Sequence, residues 1–421
     1  MFVLRAKYLL TNPNTLINNG VVVVSNDKIL FAGRFKDLNK QEACRIIDLG
    51  NSVITPGLIN AHSHLELTNL NGRINYTGSF AGWISQILNA KKGWTEDDYT
   101  LSVRSGIKKS IEAGTTTIAD ITRDGFSLAE LRKSKLRKTV FYELIDFNPS
   151  RAEETIRDFK ARFNDTYGNN LLSIGIFPHA PYTVSKDLYN QCSTVSDQLK
   201  IPIATHLSET NEEIEFLTKG TGNLATLLRD LNTLGDWNHP GLRPIAYLNQ
   251  MGILKNNLMI IHCNYVTIEE IMMLKSSKSS IVYCPKSHKY FQHMIHPFRK
   301  LIDQNINIAL GTDSLASNDS LSILDEMKCI YDGNKDIKPQ DIFFMGTIAG
   351  AVAVGLENKI GRLEPGFDAD ITAIQLPNEE KSNFYEGVFS KNSECIFSVV
   401  SGSVCYDKYR LSGLPQRIKT H

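Results

Sequence analysis

The sequence predicts an α/β fold, namely a (β/α)8 TIM-like barrel with a small β-sandwich domain formed from both chain ends. Three observations predict it: eight short apolar runs alternate with longer helical segments, most runs lead directly into polar clusters, and both chain ends are rich in short β-branched segments. Eight parallel strands close such a barrel, and its active site lies at the carboxyl ends of the strands. A doubly wound open sheet is the structural alternative.

The two ends of the chain supply the β-sandwich. Val21 to Val24 are four β-branched residues in a row, and the turn signal Asn18-Asn19-Gly20 precedes them. The stretch from Ala369 to Asp407 has the same texture. We therefore expect residues 1–55 and 364–421 to form the small domain and residues 56–363 to form the barrel.

The middle of the chain supplies the barrel strands. The apolar runs are, in chain order, Val53 to Ile59, Thr115 to Ala119, Thr139 to Ile145, Ser173 to Phe177, Pro202 to Ala204, Leu258 to Ile261, Ser280 to Tyr283 and Asn307 to Leu310. The polar clusters that follow include AHSHLE, DITRDG, PHAPYT, THLSE, HCN, CPKSH and GTDS. The segment from Asn211 to Tyr247 is long for a connection, so we expect a lid or wall over the site, with a plain surface excursion as the alternative.

Composition excludes several classes of partner. Lysine and arginine number 46 against 45 aspartate and glutamate, a formal net charge of +1, and no run of like charge argues for nucleic acid or an anionic membrane. No apolar run approaches the ~20 residues needed to cross a bilayer, and the N-terminus MFVLRAKYLL is interpreted as a first strand, not a signal peptide. The seven scattered cysteines form no CxxC pair, which favours reduced thiols in a cytoplasmic protein. We expect a small-molecule substrate.

His62 and His64 form an HxH pair at the end of the first predicted barrel strand. Residues two apart on a strand point to the same side, so both imidazoles can reach one ion. An isolated HxH pair is weak evidence, but its place after the strand sequence PGLIN makes the metal interpretation much stronger.

His206 and Glu209 follow the fifth predicted strand in the motif THLSE. His206 adds a third nitrogen ligand, and the Glu209 carboxylate, three residues on, suits proton transfer to and from water at the metal. The alternative is an ordinary helix start with exposed glutamates, since Ser208, Glu209, Glu212 and Glu213 also resemble a capping segment. The two interpretations are compatible.

His262 follows the sixth predicted strand, and Asp313 follows the eighth in the motif GTDS. Alone, a histidine that ends a buried strand is more often a core residue. Together the set predicts a site for one divalent metal, with His62, His64, His206 and Asp313 as ligands and Asp313 also accepting a proton from water. Three imidazoles and a carboxylate suit Zn²⁺ or Fe²⁺, and such an ion lowers the pKa of bound water to roughly 7.

The motifs PGLINAHSH, PHAPYT, THLSE, IHC and GTDSLASN occur in the order typical of the amidohydrolase superfamily, and LEPGFDADIT resembles its return to the small β domain. The chain resembles the mononuclear, cytosine deaminase-like branch over nearly its whole length. Binuclear members carry a carboxylated lysine after the fourth strand, where this chain has Pro178-His179-Ala180-Pro181, so the resemblance implies one metal. It also implies that His262 orients the water and that the chain forms a homodimer.

Within that branch the chain resembles adenosine-type deaminases, especially the aminodeoxyfutalosine deaminases of the alternative menaquinone pathway. The likeness lies in the HLE that starts at His64, in GSFAGW, which ends at Trp83, and in GTDSLASNDSLSILDEM. It implies that His179 and Ser317 contact the substrate, that Glu66 hydrogen-bonds the base or sugar, and that Trp83 packs against a purine. For Trp83, an ordinary helix anchor is the alternative.

One departure lies after the seventh predicted strand, where many relatives have asparagine and this chain has CPKSH. We expect Lys286, His288 or Arg73 to meet an acidic substrate group such as a benzoate. A second metal on the loop of His288, His293 and His296 is the weaker alternative, because no strand fixes these residues.

The implied activity is hydrolytic deamination of an adenine-containing nucleoside, with 6-amino-6-deoxyfutalosine as substrate and Glu209, His262 and Asp313 as catalytic residues. Deamination of S-adenosylhomocysteine, methylthioadenosine or guanine, and triazine dechlorination by a chlorohydrolase, are the alternatives within the superfamily. In a different class, the chain would be a non-catalytic scaffold. Such relatives usually lose metal ligands, whereas every predicted ligand is present here.

Overall fold

A computed structural model gives the structure of the chain and describes residues 1–38, 45–164, 170–235, 237–334, 336–377 and 383–413. Within these ranges the strands form two eight-stranded sheets. One is parallel and nearly closed, and the other is mostly antiparallel and takes its strands from both ends of the chain. The predicted fold class, a barrel with a β domain from both chain ends, is confirmed.

The end sheet consists of β1 (Phe2–Asn12), β2 (Thr15–Ser25), β3 (Lys28–Arg34), β4 (Arg45–Asp48), β5 (Ser52–Pro56), β14 (Ile371–Gln375), β15 (Glu394–Val400) and β16 (Ser403–Asp407). β5 joins the two termini, because it pairs in parallel with β1 and antiparallel with β14. The run Val21 to Val24 lies in β2 and is fully buried. The division of the chain at residues 55/56 and 363/364 stays a prediction.

The barrel consists of β6 (Leu58–Ser63), β7 (Thr115–Thr122), β8 (Arg137–Leu144), β9 (Leu172–Pro178), β10 (Ile203–Leu207), β11 (Leu258–His262), β12 (Ser280–Tyr283) and β13 (Ile308–Leu310). These strands are almost wholly buried because helices cover the outer face and side chains fill the interior. The barrel closes where Thr312 N and Asp313 N donate to His62 O at 3.0 and 3.1 Å. Gly311 permits this closure, since a Cβ there would lie 2.8 Å from His62 Cβ.

The first predicted strand is two strands in two different sheets. The apolar run Val53 to Ile59 contains most of β5, which belongs to the end sheet, and the start of β6, which is the first strand of the barrel. Gly57 lies between them and packs against Thr116, where a Cβ would come within 2.1 Å of Oγ1. β6 then continues to Ser63, which places His62 inside the strand.

Helices connect the strands and cover the barrel. They are α1 (Phe80–Ala90), α2 (Glu96–Glu112), α3 (Phe126–Lys133), α4 (Ala152–Asn164), α5 (Lys186–Leu199), α6 (Asn211–Lys219), α7 (Asn223–Asp230), α8 (Pro244–Gln250), α9 (Ile268–Ser277), α10 (Pro285–Tyr290), α11 (Phe298–Asp303), α12 (Ile323–Gly333), α13 (Pro339–Gly346), α14 (Ile348–Ala353) and α15 (Phe384–Val388). Among the described residues, no helix combines the length and apolar character that spanning a bilayer requires. The six cysteines in these ranges are free thiols, and Cys44 lies outside the described residues.

The long segment from Asn211 to Tyr247 folds into α6, α7 and the start of α8. We call α1, α6 and α7 the cap. Their apolar side chains form a hydrophobic cluster that is separate from the barrel core. This cluster includes Phe80, Trp83, Phe216, Leu224 and Leu228. Leucines of α7 also line the cavity above the barrel. The predicted wall over the site is therefore present.

Candidate active site

Three histidine side chains converge at the carboxyl end of the barrel. His62 lies in β6, His64 follows that strand, and His206 lies in β10. The Nε2 atom of His206 is 3.4 Å from Nε2 of His62 and 3.4 Å from Nε2 of His64. The HxH spacing therefore directs both rings towards the point that His206 reaches from across the barrel.

Asp313 approaches the same point from the seam where the barrel closes. Its Oδ1 atom lies 3.6 Å from His62 Nε2 and 3.8 Å from His64 Nε2. Its Oδ2 atom accepts hydrogen bonds from the hydroxyl groups of Ser287 and Ser317, at 2.8 Å each. Burial acts to raise the pKa of Asp313, but its contacts with the surrounding histidines hold that pKa below the usual value. The carboxylate therefore stays ionised.

The chemistry of this donor set fits a divalent metal. Burial, together with the neighbouring histidines, lowers the pKa of His64 and His206 well below the usual value, which keeps both rings in the neutral form that binds metals. A tetrahedral Zn²⁺ with Zn–N distances of about 2.0–2.1 Å places neighbouring ligand atoms about 3.4 Å apart, like the Nε2 atoms here. Within the described ranges, His62, His64 and His206 are the one group of three or more such donors that are close enough to share an ion. The loop of His288, His293 and His296 is not such a group.

Glu209 and His262 face each other beside the three histidines. Glu209 Oε1 lies 3.5 Å from His262 Nε2, and the rings of His262 and His206 stack with centroids 5.4 Å apart. Burial, with the charges of Asp313 and Glu213, raises the pKa of Glu209 well above its usual value. Burial lowers the pKa of His262 to about 3. A buried carboxyl group with a raised pKa, next to a neutral imidazole, suits proton transfer and the orientation of water.

The turn that carries Glu209 is held from behind by a buried carboxylate. Glu213 accepts hydrogen bonds from Ser208 N at 3.0 Å and from Glu209 N at 2.7 Å, and burial raises its pKa to about 7. Thr210 caps α6 in place of Ser208. Glu209 and Glu213 are buried and Glu212 is half-buried, so the alternative interpretation of exposed glutamates is wrong.

A second buried carboxylate, unanticipated from the sequence, supports the HxH pair. Asp120 in β7 accepts hydrogen bonds from Ser63 Oγ at 2.7 Å and from Leu65 N at 2.9 Å, and burial raises its pKa to about 7. Asp120 opens the cluster DITRDG, directly after an apolar run. The place of Asp120 near the carboxyl end of a barrel strand is the sequence signal that indicates a functional or supporting role.

A cavity of about 660 Å³ opens above these residues. Its floor contains His64, His206, Glu209, His262 and Asp313. Helices α1 and α7, with loops that follow β8 and β9, form its walls. The predicted metal and catalytic residues thus share one cavity, with His62 buried directly beneath it.

Two predicted substrate-binding residues, Glu66 and His179, line this cavity, and burial shifts the pKa of each. Burial raises the pKa of Glu66, whose carboxylate accepts a hydrogen bond from Thr122 Oγ1 at 2.5 Å. Burial lowers the pKa of His179 to about 3, and its Nδ1 atom lies 2.6 Å from Thr183 Oγ1. The Nε2 atom of His179 is 4.0 Å from Glu143, another lining residue.

Trp83 lines the cavity from α1 and is also a helix anchor. Its ring stacks on Phe80 with centroids 5.6 Å apart, meets Phe291 edge-on at 4.9 Å, and its Nε1 donates to Ala316 O at 3.3 Å. Trp83 is therefore a helix anchor that also lines the cavity, and its packing against a purine stays a prediction. Because the indole N–H already donates to Ala316 O, only the ring face of Trp83 is available to a ligand in the cavity.

Ser317 and His288, the other predicted substrate-binding residues, lie outside the cavity lining. Ser317 is fully buried and donates to Asp313, which makes it a support for that carboxylate. His288 Nδ1 lies 3.1 Å from Asn264 Oδ1, and its Nε2 donates to Met294 O at 2.7 Å. Since both ring nitrogens of His288 are engaged by protein atoms, neither is open to a substrate.

Lys286 and Arg73, which were predicted to meet an acidic substrate group, also lie outside the cavity lining. Lys286 pairs with Asp319 instead. The cationic side chains that do line it are Lys91, Arg123 and Arg151. These three residues lie in three different connections between consecutive barrel strands, so no single sequence motif indicates them.

Known proteins resemble the chain over most of its length. A model of the amidohydrolase family matches residues 53–405. The chain is 28% identical over 386 residues to a 5-methylthioadenosine/S-adenosylhomocysteine deaminase of Pyrococcus furiosus, which covers 86% of each chain. It is also 28% identical to a 5′-deoxyadenosine deaminase of Methanobrevibacter smithii, over 92% of this chain and 87% of the relative.

Among solved structures, the Helicobacter pylori aminofutalosine deaminase in complex with methylthio-coformycin has a similar fold. The TM-score is 0.84 and the sequence identity 22%, over 96% of this chain and 100% of that chain. At this identity the likeness shows the fold alone.

Proposed function

The chain belongs to the amidohydrolase family, and we propose that it is an adenosine-type nucleoside deaminase whose substrate is 6-amino-6-deoxyfutalosine. One observation carries the proposal: a group of histidines suited to a metal, a buried carboxyl group with a raised pKa and a neutral imidazole meet at one cavity. Relatives named as 5-methylthioadenosine/S-adenosylhomocysteine and 5′-deoxyadenosine deaminases support hydrolysis of a carbon–nitrogen bond.

The four predicted ligands would hold the cofactor. His62, His64, His206 and Asp313 would bind one divalent ion, Zn²⁺ or Fe²⁺, which when bound supplies an acidified water molecule as the nucleophile. His62, His206 and Asp313 are buried, and His64 is partly exposed to the cavity. The hydroxyl groups of Ser287 and Ser317 fix the second oxygen of Asp313 and so its orientation.

Glu209, His262 and Asp313 handle the water and the protons. His262 Nε2 and the Asp313 carboxylate orient the attacking water towards the amino-bearing carbon of the purine. Glu209 gives its proton to the neighbouring ring nitrogen while the new C–O bond forms, and the carbon becomes tetrahedral. The proton lost by the water passes through Asp313 or Glu209 to the amino group, the C–N bond breaks, and ammonia leaves.

The choice of 6-amino-6-deoxyfutalosine rests on the HLE, GSFAGW and GTDSLASNDSLSILDEM motifs and on the aromatic cavity wall. On the resemblance alone, we also propose that the enzyme acts in menaquinone biosynthesis, in the cytoplasm and as a homodimer. Deamination of methylthioadenosine or S-adenosylhomocysteine is the second candidate, favoured by the Pyrococcus furiosus relative.

Ammonia release from a panel of nucleosides tests the proposal. The panel contains 6-amino-6-deoxyfutalosine, methylthioadenosine, S-adenosylhomocysteine, 5′-deoxyadenosine and adenosine, with guanine and a chlorinated triazine as other leaving groups. We expect the highest kcat/KM with 6-amino-6-deoxyfutalosine. A higher value with another adenine nucleoside would replace the substrate but keep the reaction. Absence of turnover on every compound, in a protein shown to hold a metal, would overturn the reaction and favour a scaffold.

A further inference from the structure

The two hydroxyl groups that orient Asp313 lie on different connections of the barrel. Ser287 belongs to α10, which follows β12, and Ser317 belongs to the loop that follows β13. Both donate to Asp313 Oδ2, and their Oγ atoms are 3.0 Å apart. The orientation of this carboxylate therefore depends on how two separate connections are held relative to each other.

Glu326 joins these two connections. It lies in α12 and is fully buried, and each of its carboxylate oxygens accepts one hydrogen bond. Glu326 Oε2 accepts from Lys286 N at 2.8 Å, and Lys286 directly precedes Ser287. Glu326 Oε1 accepts from Asn318 Nδ2 at 2.7 Å, and Asn318 directly follows Ser317. One buried carboxyl group is thus bonded to the immediate chain neighbour of each hydroxyl donor.

The side chain of Asn318 extends this link to the backbone beside Asp313. Its Nδ2 atom also donates to Thr312 O at 2.8 Å, and Thr312 directly precedes Asp313. Its Oδ1 atom accepts from two backbone N–H groups of the same loop. Because both ends of the amide are bonded to protein atoms, Asn318 transmits the position of Glu326 to the loop that carries Asp313.

The alternative role of Glu326 is to cap α10, because Lys286 N is one of the backbone donors at the start of that helix. Capping uses Oε2 alone and does not account for the bond from Asn318 to Oε1. Burial raises the pKa of Glu326 to about 8, and its two bonds from N–H groups act in the opposite direction. A buried carboxyl group is costly unless its oxygens are paired, so both bonds together determine its position.

We propose that Glu326 is a positioning residue for the metal ligand Asp313. It holds the two hydroxyl donors at the separation that directs Asp313 Oδ1 towards the ion, although it does not itself line the cavity. This inference rests on the metal site of the proposed function. Partners that orient a metal ligand without binding the ion typically change metal affinity or activity by about 10- to 100-fold.

The Zn²⁺ affinity of Glu326→Gln is the first test, measured by competition with a chelator. Glutamine fills the same space but places an NH₂ group against Lys286 N or Asn318 Nδ2. We expect the dissociation constant for Zn²⁺ to rise about tenfold or more. The matched control is Asp325→Asn, because Asp325 is the neighbour on α12 and accepts from Ser320 Oγ at 2.7 Å instead. Its dissociation constant should stay within about twofold of the unaltered value.

A double-mutant cycle separates positioning from general destabilisation. In the variant Ser287→Ala with Ser317→Ala, Glu326 has no hydroxyl donor left to position. Adding Glu326→Gln to that variant should therefore raise the dissociation constant by less than about threefold, because coupled residues are not additive. A rise as large as in the protein with both serines would overturn the proposal, since Glu326 would then act by another route.

Unchanged Zn²⁺ affinity in folded Glu326→Gln would also overturn the proposal. If that variant does not fold, Asn318→Ala breaks the same link at Oε1 and is measured against the same two criteria. The affinity is measured without turnover, so a protein that binds Zn²⁺ but releases no ammonia would overturn the proposed reaction and leave this inference standing. An unaltered protein without affinity for Zn²⁺ would overturn the metal site and this inference together.

Discussion

The floor and the cap of the cavity consist of different kinds of side chain, polar in the floor and mainly apolar in the cap. The floor consists of polar side chains at the ends of barrel strands, and buried carboxylates such as Asp120 and Glu213 hold its backbone in place. The cap consists of helices that form a hydrophobic cluster of their own, with the stacked rings of Phe216 and Trp237 (centroids 4.3 Å apart) inside it. The floor and the cap are therefore separate packing units that meet at the cavity.

The two units meet on a single turn of α6. Glu212 accepts hydrogen bonds from Phe80 N at 2.7 Å and Ala81 N at 3.1 Å, which ties α6 to the first turn of α1 in the cap. Its neighbour Glu213 binds the turn of Glu209 on the floor. Glu212 therefore contacts the cap and Glu213 contacts the floor. Substitution of each glutamate in turn tests whether the cap and the floor act separately.

Metal removal should have the largest effect, because it disables the floor altogether. We expect a chelator to abolish ammonia release and to leave the fold intact, since the barrel and the cap have their own apolar cores. Adding back Zn²⁺ or Fe²⁺ should restore activity with one ion per chain, and the better ion identifies the cofactor. Full activity in metal-free protein would contradict the assignment of His62, His64, His206 and Asp313.

Glu209→Gln should come next, with a loss of turnover of at least 10²-fold and an unchanged metal content. Glutamine fills the same space but cannot pass a proton to the purine. The control is Glu215→Gln, because Glu215 lies on α6 outside the cavity lining, bonded to Thr221 at 2.9 Å, and should keep normal turnover. Near-normal activity of Glu209→Gln would remove this residue from the reaction.

The same contrast explains what the sequence could predict. Parallel strands buried on both faces are continuous apolar runs, so His62, His206 and Asp313 were recognisable by their place directly after such runs. Glu213 could not be distinguished from an exposed capping residue, because burial of a carboxylate depends on neighbours distant in the sequence. The leucines of α7 were equally ambiguous, since an amphipathic helix does not reveal what covers its apolar face.

Glu212→Gln and Glu213→Gln should affect different kinetic parameters. Each replaces an acceptor oxygen by an NH₂ group facing a backbone donor, and an unsatisfied buried donor costs about 1–3 kcal/mol. For Glu213 we expect kcat to fall about tenfold or more, because the turn of Glu209 shifts. For Glu212 we expect KM to rise while kcat stays within about threefold, because only the cap loosens. If both variants raise KM alone, or both lower kcat alone, the division into floor and cap is wrong.

The smallest predicted effect concerns the backbone of His262. This residue has a left-handed backbone (φ 78°), and so does the following Cys263 (φ 54°). A positive φ is uncommon for residues other than glycine. His296 Nε2 donates to His262 O at 2.8 Å, and its ring stacks on Tyr283 with centroids 3.9 Å apart. We infer that His296 keeps His262 in the orientation that faces Glu209.

Two substitutions at His296 separate this hydrogen bond from packing. His296→Phe keeps a ring against Tyr283 but removes the donor, whereas His296→Gln keeps a donor and removes the ring. A neutral hydrogen bond is worth about 0.5–1.5 kcal/mol, so His296→Phe should lower kcat by about 2- to 10-fold with KM and metal content unchanged. His296→Gln should retain more of kcat even where its melting temperature is the lower of the two. If kcat instead follows melting temperature across both variants, His296 only fills space, and the orientation of His262 is determined by the strand alone.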